Sequence, residues 1–208
     1  QVASGQTTVV VTEEGAAGTI LAIGDGLTVN GYVPALAERL SDTEATLIGT
    51  KGSGSVLCEA AEGWSAAGLL AGTDGSPFYK SGSFDFGAYL TDNGLDTPDT
   101  VLLALGAEDI KQGRSAAEIK ADMASIISAI QADSPDTKIG IILLPETAGE
   151  LEERFLQMNM AMISLADALG NNVFVIPASC NIDTVHEATL GTAAFQQWAD
   201  AVLGSLNQ

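Results

Sequence analysis

The chain of 208 residues is long enough for one α/β domain with a full core and short for two. Its 27 acidic residues against 8 basic ones, a net charge of −19, leave no positive stripe to neutralise phosphates, which excludes nucleic-acid binding and disfavours anionic membranes. Hydrophobic residues make up 46% of the chain, yet its longest apolar runs reach about a third of the ~20 residues a membrane span requires.

Residues 1–18 stand apart. "TTVVVTEEGAAG" reads as one strand followed by a Gly/Ala linker, which would either join a domain at 19–208 to a preceding module or to other structural proteins, or add an edge strand to that domain. No basic segment followed by an apolar one opens the chain, so an intact signal peptide is not expected. From residue 19 onward, continuous apolar runs alternate with helical periodicity. Strands are expected at 19–23, 46–48, 100–105, 139–144 and 173–176, and helices at 33–40, 64–70, 116–132, 150–169 and 190–206. Ser115 with Glu118 forms a capping box for the third helix, and Gly170-Asn171 supplies a left-handed stop for the fourth. Five β-then-α units without hairpin signals predict an αβα sandwich in three layers around a five-stranded parallel sheet. The stretch 71–99, rich in Gly, Ser, Asp and aromatics, reads as a long ordered loop across the ligand-binding end of that sheet.

Two cysteines, Cys58 and Cys180, are expected as thiols, with a single disulfide left open. One histidine and no Cys/His cluster exclude a structural zinc site, and no cofactor is expected.

Four short segments carry chemistry. In "IGDGLT" a strand breaks at Gly24-Asp25-Gly26 before a helix, a place where α/β enzymes mount a nucleophile, yet the turn holds no Ser or Cys. In "AEGWSAAG" a Gly-Trp64-Ser65-Ala66 turn opens a helix whose first N–H groups suit an anion, with Ser65 as an ordinary N-cap the simpler reading. In "LLALGAEDI" a buried strand runs out to Glu108 and Asp109, which also suit a helix entry. In "DTVH" Asp183 lies three residues before His186, close enough on a turn to orient the imidazole.

Together and in this order, the four segments resemble the SGNH hydrolases, the GDSL-type esterases and lipases, over about nine-tenths of the chain. The family's Gly-Asp-Ser-Leu block corresponds to "IGDGLT", its Gly-x-Asn-Asp block to "GAED", its Asp-x-x-His block to "DTVH" and its backbone-donor block to "EGWSA". The resemblance implies a flavodoxin-like fold, with Asp183 and His186 as orienter and base and with oxyanion donors at residue 26, at Ala66 or Ser65, and at residue 108. Asp25, Trp64, Ser65 and Asp109 would line the pocket. Two positions depart from the pattern: Gly26 stands where the nucleophilic serine would be, and Glu108 where an oxyanion-binding asparagine would be. Loss of the nucleophile costs on the order of 10⁶-fold in rate, and loss of one oxyanion donor ~3 kcal/mol.

The expected function is therefore a domain of this type without serine-esterase activity, serving as a structural or glycan-binding module. The looser resemblance of "GSFDFGAYL" and "PDTVLLALGAEDI" to SGNH domains of phage particles and gut or marine bacteria implies an extracellular or virion-associated setting. Two alternatives stay open. One is an active carbohydrate esterase or other hydrolase in which His186 and Asp183 activate water, or in which Asp25, Glu108 and Asp183 hold a cation that does so, with glycoside chemistry by two close carboxylates also open. The other is an engineered inactivation of an ordinary esterase.

Overall fold

A computed structural model describes residues 17–73, 75–145, 149–170, 172–177 and 199–204. Asp183, His186 and Cys180 lie outside them, as do residues 1–16. The first strand, β1 (Ala17–Gly24), therefore starts two residues before the expected one. It is followed by a π turn (Thr28–Tyr32), α1 (Val33–Leu40) and β2 (Glu44–Ile48). Next come β3 (Lys51–Ser53), β4 (Val56–Ala60) and α2 (Ala66–Ala71). The stretch up to residue 99 holds β5 (Tyr79–Lys80), β6 (Ser83–Phe84) and α3 (Phe86–Asn93). The second half runs β7 (Thr100–Ala104), α4 (Ala107–Lys111), α5 (Ala116–Asp133), β8 (Lys138–Ile142), α6 (Glu152–Leu169) and β9 (Val173–Ile176). Residues 199–204 are helical, within the span expected for the last helix.

The main sheet runs β3-β4-β1-β7-β8-β9, with β2 also paired to β1. β1 pairs with β7 through Ile20–Gly24, with β2 through Ala17–Leu21 and with β4 only at Ile23 and Gly24. Because β7 already occupies one edge of β1 over these residues, β2 and β4 must share the other edge in succession. The parallel sheet thus has five positions, β2/β4, β1, β7, β8 and β9, as the expected architecture requires, and helices cover both faces. Leu21, Ile23, Val101 and Leu103 face α2, α3, α5 and α6, whereas Ile20, Ala22, Leu102 and Ala104 face α1 and the helical segment 199–204. Strands covered on both faces are continuous apolar runs for this reason. The capping box of Ser115 and Glu118 is present at α5, and Gly170 ends α6 at φ +77°.

Two expectations are corrected. The chain does contain hairpins: β3 and β4 pair antiparallel around Gly54, and β5 and β6 around Ser81-Gly82, both at positive φ. The short Gly/Ser-rich sequence of β3 hides the first from periodicity. The stretch 71–99 is also no loop over the ligand end. Phe78, Phe84, Phe86 and Tyr89 are buried in the core beside α2 and α5, with Phe78 stacked 5.0 Å from Phe84 and tilted 4.4 Å from Tyr89. Aromatic rings gain more by burial than by edging an open site, and here they decide the path of the segment.

Candidate functional site

The C-terminal ends of β1, β4 and β7 converge, and each carries one of the segments singled out above. At the end of β1 the backbone cannot accept a side chain at residue 24. A Cβ there would overlap the Thr28 hydroxyl and lie 2.7 Å from the Ala104 carbonyl. The next turn is tied down on both sides: Asp25 N–H donates to the Ala104 carbonyl at 3.3 Å, and Ala61 N–H donates to the Gly24 carbonyl at 3.2 Å. The second bond explains how the Ala61–Trp64 turn reaches the site. β4, absent from the expected strands, replaces β2 beside the end of β1 and delivers that turn.

Asp25 is 6% exposed and accepts the Leu27 N–H at 3.0 Å. Burial pushes its carboxyl up to about 6; the Leu27 N–H and the Lys111 ammonium oppose the rise, and Glu108 adds to it. Those couplings bring Asp25, Glu108 and Lys111 into one electrostatic group. Glu108 is not aimed as a donor: Lys111 Nζ lies 3.6 Å from its carboxylate, one helical turn along α4.

A folded-state value above the ordinary carboxylate value means that ionising Asp25 opposes folding. Its contribution is most favourable when protonated and is lost as pH rises from about 4 to about 6, a tenfold change in the ionisation constant being worth about 1.4 kcal/mol. Asp25→Asn should flatten that part of the stability–pH curve and raise stability at pH 7. Urea midpoints compared from pH 4 to 7 read this directly, and parallel curves for the two proteins would contradict it.

Gly26 has no side chain, and the space beside it is taken. A Cβ at residue 26 would sit 3.2 Å from Glu62 Cγ and 3.8 Å from Glu62 Cα. The exposed Glu62 side chain is held there by Asn30 of the π turn, whose Nδ2 donates to Oε1 at 2.9 Å. Such π turns occur often at functional sites because they re-aim one side chain off the helical repeat. Glu62 and Asn30 are the residues that sequence reasoning missed. They are 32 positions apart, and no local motif joins them.

Four other expected site residues are placed differently. Trp64 is 3% exposed and packs in the core under the Lys51 ammonium, 5.1 Å from the ring centre, rather than lining the pocket. Ser65 caps α2, its hydroxyl accepting the Gly68 N–H at 3.0 Å, as its simpler reading had it. Asp109 is fully buried behind the site and accepts the N–H groups of Ala66 at 2.8 Å and Ala67 at 3.2 Å. The Ala66 N–H is therefore committed to a carboxylate and is not available to an oxyanion. Within the described residues the N–H of Gly63, at φ +78° in the exposed turn, carries no hydrogen bond. Its signal in the sequence was the glycine of "EGWS".

Behind the turn, the fully buried Glu59 accepts from the Thr50 hydroxyl at 2.6 Å and the Tyr89 hydroxyl at 2.8 Å, with Lys51 Nζ at 3.7 Å. This network fixes the end of β4. Cys58, next to it, is a buried free thiol. Among the described residues no group of three or more His, Cys, Asp or Glu side chains could hold a metal ion, and no helix is long and apolar enough to cross a membrane.

No family model and no curated protein matches the sequence. Solved structures do match by shape. A mutant acetyl esterase with a bound acetate ion superposes with a TM-score of 0.70 at 15% identity, covering 91% of this chain and 96% of that one. A carbohydrate esterase family 3 protein from Talaromyces cellulolyticus gives 0.69 at 15% identity, with 91% and 96% covered. The family 3 carbohydrate esterase of Clostridium thermocellum gives 0.66 at 15% identity, with 92% and 98% covered. This chain has the fold of the SGNH, or GDSL-type, esterases.

Proposed function

We propose that this domain keeps the SGNH scaffold, does not hydrolyse esters through a serine, and holds a glycan, acylated or not, at the C-terminal strand ends. The observation that carries the reading is Glu62 lying against Gly26 and pinned by Asn30. An esterase needs a hydroxyl at that point and hydrogen-bond donors for the oxyanion. Here the turn supplies no hydroxyl, and the surrounding side chains of Asp25, Glu62 and Glu108 are carboxylates, which when ionised only accept hydrogen bonds. Sugar hydroxyls are donors and suit such a surface, whereas a developing oxyanion is repelled by it. The carbohydrate esterases among the structural neighbours support a sugar as the ligand class. The domain would serve in a larger extracellular or virion-borne assembly, joined to it through the residues that precede β1.

The test pairs turnover with binding. The protein should release no p-nitrophenol from p-nitrophenyl acetate above the buffer rate, while acetylated and unacetylated xylo-oligosaccharides shift its amide resonances in a titration. Glu62→Ala should weaken that binding. Turnover that requires His186 would instead support the second reading, in which His186 and Asp183 activate water. That reading draws on Asp25, whose titration near 6 leaves it able to exchange a proton at neutral pH.

A further inference from the structure

The edge hairpin of β3 and β4 carries a cation to a buried carboxylate next to the site. Glu59 of β4 is fully buried, and its Oε2 accepts the Thr50 N–H at 3.1 Å and the hydroxyls of Thr50 and Tyr89. Its Oε1 has no hydrogen-bond donor among the described residues. Lys51 of β3 is the one cation among them within ion-pair distance of Glu59, at 3.7 Å. The hairpin lies too close to β4 for side chains at two points. A Cβ at Gly49 would overlap the Cys58 backbone, and one at Gly52 the Val56 carbonyl. This close approach brings the half-exposed Lys51 side chain between Glu59 and the Trp64 ring, with Nζ 5.1 Å from the ring centre.

We propose that Lys51 is a positioning residue: held by the Glu59 carboxylate, its ammonium clamps Trp64 and so fixes the turn that lays Glu62 against Gly26. That turn has two anchors. At its start the Ala61 N–H donates to the Gly24 carbonyl at 3.2 Å. At its end the Trp64 N–H closes on the Ala61 carbonyl at 3.3 Å, with Gly63 at φ +78° between them. Glu62 rides between the anchors, so a displaced Trp64 carries Glu62 Cγ away from its place 3.2 Å from a Cβ at residue 26. The core packs against the Trp64 ring, and the Lys51 ammonium covers a face of it. A cation over an indole is attracted by the ring quadrupole, more strongly where water is excluded. Glu59 keeps the lysine there, because a buried carboxylate without a countercharge is strongly unfavourable. Both residues act through Glu62, and the consequence for binding rests on the glycan-holding reading above.

Amide resonances of the full chain read the turn directly, with or without a ligand. Lys51→Met should shift those of Gly26, Glu62 and Gly63 and weaken binding of xylo-oligosaccharides about tenfold. Its urea midpoint should also fall, since Glu59 is left without a countercharge. Lys51→Met with Glu59→Gln removes that charge and should recover most of the midpoint, but neither the resonances nor the affinity. The double variant also carries the comparison if the single one does not fold. Lys51→Arg keeps a cation over the ring and beside the carboxylate, and should restore all three. Unmoved turn resonances in Lys51→Met overturn the proposal. Their return together with the midpoint in the double variant does so too, because charge balance alone would then account for the effect. Resonances that move as stated in a protein whose parent binds no xylo-oligosaccharide overturn the glycan reading and uphold the role of Lys51.

Discussion

Gly26→Ser alone should produce no measurable esterase. The hydroxyl would return, but it would arrive beside Glu62 Cγ, which already lies 3.2 Å from the new Cβ and is held by Asn30. Glu108 would still present a carboxylate, with Lys111 3.6 Å away, where the fold's esterases are expected to place a donor. Adding Glu108→Asn should restore one oxyanion donor and raise the rate 10²- to 10³-fold over the single variant, following the ~3 kcal/mol such a donor is worth. Adding Glu62→Ala should raise it further by clearing the approach to residue 26. Initial rates on p-nitrophenyl acetate across the single, double and triple variants check this order. Robust turnover by Gly26→Ser alone would show that neither carboxylate obstructs the chemistry.

Asp109→Ala should be the most damaging single change to stability around the site, by about 3–5 kcal/mol. Its carboxylate is fully buried and joins three elements. It accepts from the N–H groups of Ala66 and Ala67 at the start of α2, and Arg114 Nε lies 3.5 Å away after α4. Alanine leaves two N–H groups without their acceptor and removes one of the two carboxylates around Arg114, which keeps Asp122. For a domain of this size the melting temperature should fall by about 10 °C. Asp109→Asn keeps one acceptor oxygen and should cost roughly half as much. Urea unfolding of both variants gives the comparison, and an Asp109→Ala protein within 1 kcal/mol of the parent, roughly a surface-mutation effect, would remove Asp109 from this role.

The same residue shows how local and non-local information divide. As a sequence feature, "GAED" offered two acidic groups at a helix entry and a family position for an oxyanion donor. The fold sends the two side chains in opposite directions: Asp109 into the interior to anchor α2, and Glu108 outward to Lys111. Likewise "EGWSA" was legible as a turn before a helix, and Ser65 does cap it. That its Ala66 N–H meets Asp109, 43 positions away, is written in no local pattern.

Local patterns were enough to set the architecture. Continuous apolar runs that must be covered on both faces, helical periodicity between them, and the caps at Ser115 and Gly170 are properties of short windows. They place β1, α1, β7, α5, β8, α6 and β9 within one or two residues. The residue types also settle that position 26 carries no hydroxyl, which no folding can supply. What surrounds that absence is decided by segments that meet only in the folded chain. β4 displaces β2 at the end of β1, the π turn aims Asn30 across the site, and Glu62 is held in the space beside Gly26. These contacts join residues far apart in sequence. Their energy comes from burial and hydrogen bonding that exist only once the sheet has assembled, so no short window contains them.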